Sequence, residues 1–285
     1  MQVCDQPKVY CITNDNIIEC QVTEIQPHYT IMGSSVDSDI EKEIESRHLT
    51  DEQKGCCLFP MELFETNDYP SSWVYSQRVL ERLLKSANYL HPIAIYFLSQ
   101  VYRDEQYENF GIYSNQFLSQ DRSYPPFIYG MLAKFMGNKN KAQVLLSDYA
   151  DGDSLLRFHY ASVLEAEDQL VILNEIKDEF AHAYYARIPL LGDTIEQQTS
   201  LNMALERKDP ATLVHYFMEA SLTSSYTLHV SYLLDAFFAG SVKAGTLLLG
   251  YELVTREEFE SLYGPLASPE NFEEDINSLL RKILD

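Results

Sequence analysis

Apolar residues recur at helical spacing between Tyr124 and Ala166, and this stretch shows most clearly a pattern that extends through much of the chain. The first run follows a Pro-Pro pair, which suits the first turn of a helix, and its apolar positions lie three or four residues apart: Ile128, Leu132, Phe135 and Met136. Gly137 and Asn138 favour a helix end, and the Asp-Gly-Asp segment at 151–153 favours a turn and a helix cap. The stretch predicts three helices, near 124–136, 140–150 and 153–166.

The same alternation of apolar helical runs and short polar breaks extends from about residue 71 to the C-terminus. One helix is predicted to begin near Ser71 or Ser72, the next at His91 and Pro92, and the others lie near 106–119, 168–181, 182–191, 195–207, 210–222, 226–239, 241–253, 255–262 and 269–284. The short breaks suit antiparallel neighbours. About six helix pairs, each of roughly 35 residues, fall within the range of stacked helical hairpins.

The N-terminal residues follow a different pattern. Three short runs rich in β-branched and aromatic residues predict strands: 8–13, 17–25 and 28–32. Two or three strands are marginally stable alone and need a packing partner. The polar, acidic segment at about 33–55 predicts a long loop, with room for a short helix, and disorder. We therefore predict a small β-containing module over 1–68, followed by an α-helical repeat domain over 69–285.

An aromatic residue followed by small and aliphatic positions recurs along the predicted helices, at Tyr96, Tyr129, Tyr160 and Tyr185. The intervals of 33, 31 and 25 residues are irregular, so the repeat is degenerate. The intervening turns contain Gly, Pro, Asp, Asn or Ser. This recurrence favours a mostly α fold made of helical hairpins.

The chain resembles the tetratricopeptide-like superfamily, and within it the Sel1-like branch, most closely over residues 124–166. Three groups of residues carry the resemblance. Tyr129, Gly130, Leu132, Ala133 and Phe135 resemble the first helix of a repeat, Lys141 and Ala142 the start of its second helix, and Tyr149, Ala150, Gly152 and Asp153 the inter-repeat turn. The glycines typical of Sel1 repeats are mostly missing elsewhere. The resemblance implies a right-handed α-solenoid used for protein–protein contact, and it implies no catalysis.

Acidic residues outnumber basic residues by 43 to 21, which gives the 285-residue chain a formal charge of -22. Such a surface repels nucleic-acid phosphates and anionic lipid headgroups, so neither nucleic acid nor a membrane is predicted as a partner. The first residues show neither the basic start nor the apolar run typical of a secretory signal, so none is predicted, and no apolar run reaches the roughly 18 to 20 residues needed to cross a bilayer. We predict a cytoplasmic protein whose charge suits a cationic partner, or solubility alone.

The five cysteines all lie within the first 57 residues: Cys4, Cys11, Cys20, Cys56 and Cys57. An odd number without a secretory signal favours reduced thiols, and the spacing does not form zinc knuckles. We expect the cysteines to pack as small hydrophobic residues. The seven histidines match no metal-binding or nucleophile motif, and His159 and His182 are predicted to line the core or a groove. We therefore predict no catalytic residue, metal site or cofactor, and no enzyme activity.

Acidic clusters and recurrent tyrosines are the candidate partner-binding residues. Many carboxylates lie in first turns, where they complement the helix dipole, but the others could recognise Lys and Arg side chains. Tyrosines in helical repeats mostly pack between helices, although tyrosine is also a common interface anchor. The candidates are Tyr96, Tyr129, Tyr160, Tyr185, Asp148, Asp151, Asp153, Glu165, Glu167 and Asp168.

These observations predict an interaction or scaffold protein that binds another protein through its helical-repeat surface. A more specific hypothesis, which rests on charge alone, is an acidic inhibitor or immunity-type binder of a basic protein. The alternative is an enzyme, or an enzyme-associated subunit, with a site between the N-terminal module and the first helices, where the cysteines cluster. The sequence indicates no oligomeric state.

Overall fold

The computed structural model describes residues 9–12, 17–20, 49–60, 63, 77–101, 124, 126–223, 229–239, 241–263, 274 and 278–279. These residues are mostly helical, which confirms the predicted mostly α fold. The α-helices are α1 (Asp51–Leu58), α2 (Gln77–Asn88), α3 (Pro92–Val101), α4 (Pro126–Phe135), α5 (Lys139–Leu146), α6 (Ser154–Ala161), α7 (Ala166–Ile176), α8 (His182–Ala186), α9 (Thr194–Glu206), α10 (Pro210–Thr223), α11 (Val230–Phe238), α12 (Val242–Gly250) and α13 (Arg256–Tyr263). Two 3₁₀ turns lie at Ser147–Tyr149 and Ile188–Leu190.

The chain divides into two compact units. The first contains Met1–Met61, Pro70–Leu132 and Glu257–Asp285, and the second contains Glu62–Tyr69 and Ala133–Arg256. The boundary predicted between residues 68 and 69 stays a prediction. No helix in the described part of the chain is both long and apolar enough to cross a membrane.

Two short strands form an antiparallel pair near the N-terminus. Strand β1 (Val9–Ile12) pairs with strand β2 (Ile17–Cys20), with Val9 opposite Cys20. Strand β1 also lies against α1 within the first unit, which supplies the packing partner that so small a sheet requires. The third predicted strand, 28–32, lies outside the described residues, and an independent N-terminal module stays a prediction.

The segment predicted over 33–55 as a long loop with room for a short helix contains the start of a helix at its C-terminal end, because α1 begins at Asp51. The Thr50 hydroxyl accepts from the Gln53 backbone N–H (3.3 Å), and the Gln53 side-chain oxygen accepts from the Thr50 N–H (3.0 Å). This reciprocal capping box stabilises a helix start. The polar composition alone does not locate the helix start, which Thr50 and Gln53 specify. Residues 33–48 lie outside the described part of the chain.

Four turns between consecutive helices share one hydrogen-bond arrangement, which centres on a cap residue: His91, Asn138, Asp209 and Ser241. The cap residue's backbone N–H donates to the carbonyl five positions earlier, at Ser86 (3.3 Å), Ala133 (2.8 Å), Ala204 (3.2 Å) and Ala236 (3.0 Å). Its side chain accepts from the backbone N–H three positions later, at Ala94, Lys141, Thr212 and Ala244. One residue therefore closes the helix before it and caps the helix after it.

The cap turns also share a backbone conformation and a small residue. Leu90, Gly137 and Lys208, which directly precede three of the cap residues, have φ of 60°, 74° and 55°, the left-handed conformation usual at helix C-termini. The carbonyl that accepts from each cap residue belongs to a fully buried Ser or Ala. A small side chain at this position leaves room for the next helix to turn back closely. The turns at Leu90 and Lys208 also show that this conformation does not require glycine in this chain.

Helix α1 closely approaches the turn between α2 and α3 at Gly55. The Ser86 hydroxyl donates to the Gly55 carbonyl oxygen (2.7 Å), and the Tyr124 hydroxyl donates to the Tyr89 carbonyl oxygen (2.6 Å). A Cβ atom added at Gly55 would lie 2.8 Å from the Tyr124 hydroxyl oxygen. The missing side chain therefore allows this part of the first unit to pack.

Each unit contains its own buried apolar residues. In the first unit Leu80 and Leu83 of α2 and Ile93 of α3 are fully buried, and the rings of Phe59 and Phe97 lie 6.0 Å apart. In the second unit a buried cluster joins α6, α7 and α8: Phe158, Ala161, Leu173, Ile176 and Ala183. Of the apolar positions predicted for α4, Ile128 and Leu132 are buried, whereas Phe135 and Met136 are half-buried.

Candidate functional site

A buried histidine–carboxylate pair joins α8 to the start of α10 in the second unit. His182 Nδ1 lies 2.9 Å from Asp209 Oδ2, and both side chains are about 5% exposed. The same carboxylate oxygen accepts from the Thr212 backbone N–H (2.8 Å) and from the Thr212 hydroxyl. Asp209 is therefore the cap residue of α10 and also the partner of His182.

The surroundings of Asp209 favour its ionised form. Burial raises the pKa of this carboxyl, but the hydrogen bond and charge of His182 and the two bonds from Thr212 lower it by more, so the net pKa lies below the ordinary value. A carboxylate bonded to Nδ1 fixes the orientation and the tautomer of an imidazole, as it does in catalytic triads. In this chain the carboxylate also caps a helix, so the pair has a structural role whatever its chemistry.

The ring of His182 belongs to an aromatic row that consists of His159, Phe158, His182, Tyr185 and His215. Phe158 contacts His159 on one side and His182 on the other, with centroid distances of 5.5 Å and 5.2 Å. Tyr185 follows at 5.9 Å from His182 and stacks on His215 at 5.5 Å. The buried histidines confirm the core position predicted for them, whereas Tyr185 is half-buried and His215 is exposed. The row therefore runs from the core to the surface.

Lys134 lies at the buried end of the row, with its Nζ atom 3.3 Å from His159 Nδ1. The side chain of Lys134 is only half-buried as a whole, but its charged end is enclosed, and this burial lowers the pKa of the amine to about 8. Burial also lowers the pKa of His159 well below its ordinary value, and the charges of Lys134 and His182 lower it further. His159 is therefore a neutral acceptor for the Lys134 ammonium group.

The predicted partner-binding tyrosines differ in exposure. Tyr129 is 2% exposed and lies in the core, so its side chain cannot reach a partner in this structure. Tyr96, Tyr160 and Tyr185 are half-buried. Tyr96 and Tyr129 belong to the first unit, and Tyr160 and Tyr185 belong to the second. Among the ring contacts between described residues, the contact of Tyr185 joins a half-buried tyrosine to an exposed neighbour, His215.

The predicted acidic residues are all exposed, but they form two separate groups. Asp148, Asp151 and Asp153 precede α6, whereas Glu165, Glu167 and Asp168 follow it. An eight-residue helix is about 12 Å long, so the groups lie at opposite ends of α6. Asp153 caps this helix, as predicted, by accepting from the Leu155 N–H (2.9 Å). Glu165 pairs with Lys139 at 2.8 Å. Whether any of these residues binds a partner stays a prediction.

The sequence analysis did not identify the His182–Asp209 pair or the surface position of His215. Asp209 precedes Pro210, and Thr212 follows three positions after the acid, which is a recognisable cap signature. That signal could have identified the helix start, but His182 and Asp209 lie 27 positions apart along the chain, and the sequence gave no indication of their contact. The spacing of His215 and Glu219 places both residues on one face of α10. The sequence does not show whether that face is buried or exposed, because this depends on how α8 packs against α10.

The prediction that the cysteines are reduced is wrong for Cys57, which is disulfide-bonded. The prediction failed because an odd number of cysteines does not exclude a disulfide between two of them. Cys56 is free and buried, as expected for a small hydrophobic residue. Burial, followed by the charge of Glu52, raises the pKa of Cys56 to about 12, so neither position offers the thiolate that the predicted enzyme alternative would use. The cytoplasmic location stays a prediction, now without support from Cys57.

Comparison with protein-family models, with curated proteins and with solved structures finds no match to this chain. The resemblance of residues 124–166 to Sel1-like and tetratricopeptide-like repeats therefore stays a prediction. Among the described residues, no group of three or more His, Cys, Asp and Glu side chains is arranged to hold a metal ion.

Proposed function

We propose that this chain binds a basic protein through the exposed carboxylates around α6 in its second unit. The observation that carries the proposal is a local excess of negative charge. Lys139 and Arg157, two basic residues of this region, already pair with Glu165 and Glu175. Four exposed carboxylates make no ion pair with any residue that the structure describes: Asp148, Asp151, Glu167 and Asp168.

The position of these carboxylates supports a macromolecular partner. They precede and follow α6, whose eight residues make it about 12 Å long, and a protein interface of about 800 Å² per partner would cover both groups. The charge of -22 favours association with a positively charged surface, because complementary charges accelerate encounter and disfavour wrong partners. Nucleic acids and anionic membranes carry the same sign of charge and are not proposed.

The proposal includes an α-solenoid of Sel1-like or tetratricopeptide-like helical hairpins. The support is the cap turn, which recurs at His91, Asn138, Asp209 and Ser241 with the same hydrogen bonds. A turn of this kind returns the chain antiparallel to the preceding helix, and hairpins stacked in this way present extended protein-binding surfaces. The proposed binding protein is therefore a stack of helical hairpins joined by cap turns, with the carboxylates around α6 as its charged binding surface.

The test is affinity capture from cells that naturally produce the protein, with elution in a salt gradient. An acidic-surface variant, in which all four carboxylates become amides, carries Asp148→Asn, Asp151→Asn, Glu167→Gln and Asp168→Asn. A matched control removes the same charge elsewhere through Glu196→Gln, Glu206→Gln, Glu252→Gln and Glu257→Gln. We expect the natural chain and the control to retain one basic protein, which is released at moderate salt because exposed ion pairs are screened, and the acidic-surface variant to lose it.

Two results would refute the proposal. Equal loss of the partner in both variants would show that total charge matters and that the region around α6 does not. Retention of an acidic partner that resists high salt would show that charge complementarity is not the basis of binding.

A further inference from the structure

The exposed end of the aromatic row forms a small surface patch on α8 and α10, which we name the Tyr185 patch: Tyr185, His215, Met218 and Glu219. The rings of Tyr185 and His215 are nearly parallel, at 22° with centroids 5.5 Å apart. His215 and Glu219 are exposed, and Met218 is 42% exposed. Residues three and four positions apart lie on the same face of a helix, so Met218 and Glu219 share a face of α10 with His215, which stacks on Tyr185.

The patch combines aromatic surface with negative charge. Burial raises the pKa of Tyr185, and the charges of Glu219 and then Asp209 raise it further, so both carboxylates act electrostatically on this ring. Glu219 makes no ion pair with any residue of the described ranges, whereas Asp209 is already bound to His182 and Thr212. Glu219 is therefore the carboxylate of this patch that can receive an external cation.

We propose that the Tyr185 patch is the anchor site for one arginine side chain of the basic partner; this inference rests on the proposed function. An arginine guanidinium can lie flat on aromatic surface and can donate two parallel hydrogen bonds to one carboxylate. Its methylene groups can contact apolar surface such as the thioether of Met218. Lysine fits less well, because its ammonium group is a compact and strongly hydrated point charge without a planar face.

The anchor differs from the carboxylates around α6 in the kind of contact that it makes. Exposed carboxylates alone attract any cation, and salt screens that attraction strongly. Aromatic surface adds a contact that favours a planar cation. The patch therefore predicts a preference for arginine over lysine, which a diffuse negative surface would not produce.

The test is calorimetric titration of the full chain with a hexa-arginine peptide and with a hexa-lysine peptide at low ionic strength. The patch variants are Glu219→Gln and His215→Ala, which change exposed side chains only. The matched control is Glu196→Gln, which removes one exposed carboxylate from α9. We expect each patch variant to weaken hexa-arginine binding about 5-fold, and the control to weaken it by less than about 2-fold. His215→Ala should also abolish the preference for arginine.

The possible failures separate the two proposals. If hexa-arginine binds the natural chain but Glu219→Gln and Glu196→Gln weaken it equally, the anchor is wrong and the acidic-surface function stands. If arginine and lysine peptides bind equally to the natural chain, the aromatic contact is wrong. If neither peptide binds at low ionic strength, the proposed function itself fails, and the anchor fails with it. Circular dichroism confirms that each variant keeps its helical content.

Discussion

Protonation of His91 should make the stability of the first unit depend on pH between 7 and 5. His91 is fully buried, its Nδ1 atom accepts from the Ala94 N–H at 3.3 Å, and its ring stacks on Phe59 at 4.8 Å. Among the described residues, its Nε2 atom has no hydrogen-bond partner. Burial lowers the pKa of His91 from 6.5 to about 3, so the imidazole remains neutral in the folded chain.

The sign of the effect follows from this lowered pKa. In the unfolded chain His91 takes up a proton near its ordinary pKa of 6.5, whereas in the folded chain it does so only near about 3. The stabilising effect is therefore fully present above pH 6.5 and is lost as the pH falls towards 3. Between pH 7 and pH 5 this difference corresponds to about 2 kcal/mol of unfolding free energy.

The substitution His91→Asn isolates this contribution. Asparagine is the cap residue of another turn in this chain, where Asn138 accepts from the Lys141 N–H, so the variant keeps an acceptor and loses the titrating group. We expect the unfolding free energy of the natural chain to fall by about 2 kcal/mol more than that of the variant between pH 7 and pH 5. Urea denaturation followed by far-ultraviolet circular dichroism measures both values.

A control variant and one decisive result complete this test. Ser241→Asn changes the cap residue of another turn, and neither serine nor asparagine titrates between pH 7 and pH 5, so this variant should keep the pH dependence of the natural chain. His159, which is also held neutral, contributes in the same direction in every variant, so it cancels in the comparison. If His91→Asn and the natural chain lose the same stability between pH 7 and pH 5, the buried neutral imidazole is not the source of the pH dependence.

Three further predictions concern stability and thiol chemistry. Gly55→Ala should lower the unfolding free energy by about 1 to 3 kcal/mol in urea denaturation, because its Cβ would lie 2.8 Å from the Tyr124 hydroxyl oxygen. Glu252→Gly should raise it by about 1 kcal/mol, because Glu252 has a φ of 56°. Iodoacetamide at pH 8 should label Cys56 only in denaturant, since this thiol is buried with a pKa of about 12, and Cys57 only after reduction.

Each of these predictions has a matched comparison. A Cβ atom added at Gly192 would meet no neighbouring atom within 4 Å, so Gly192→Ala should not lower stability, and an equal loss at both glycines would contradict the steric argument. Glu257→Gly, in the first turn of α13, should lower the unfolding free energy by about 1 kcal/mol, opposite in sign to Glu252→Gly, because glycine adds backbone freedom to the unfolded chain and the charge that complements the helix dipole is lost. Rapid labelling of Cys56 in the native chain, detected by peptide mass spectrometry, would contradict its burial.

Helix positions could be predicted where polar breaks contain strong end signals. The predicted helix 195–207 matches Thr194–Glu206, and the predicted helix 210–222 matches Pro210–Thr223. Both starts could be predicted because Asp193 caps the first of these helices and Asp209 caps the second. The helix predicted over 153–166 ends earlier, at Ala161. There the Ser162 hydroxyl donates to the His159 carbonyl oxygen, and such local bonds compete with helix continuation.

The site could be predicted only in part, because its contacts join residues distant along the chain. Periodicity correctly indicated that His182 lies inside, but only the packing of α8 on α10 brings it to Asp209. The left-handed backbone at Leu90 and Lys208 could not be read from residue type, since glycine is the usual residue there. Composition likewise could not show which cysteine forms a disulfide.

In each of the four cap turns, one residue bonds both to the helix before it and to the helix after it, and this affects which sequence changes the turn can accept during evolution. An imidazole, an amide, a carboxylate and a hydroxyl occupy equivalent positions at His91, Asn138, Asp209 and Ser241, so the turn requires an acceptor and does not require a particular amino acid. Because each turn is stabilised by bonds within nine consecutive residues, one hairpin can tolerate a substitution without altering the next. Insertion of a single residue, in contrast, would separate the two bonding roles and misplace both helices. Such turns can lose sequence similarity freely while remaining fixed in length.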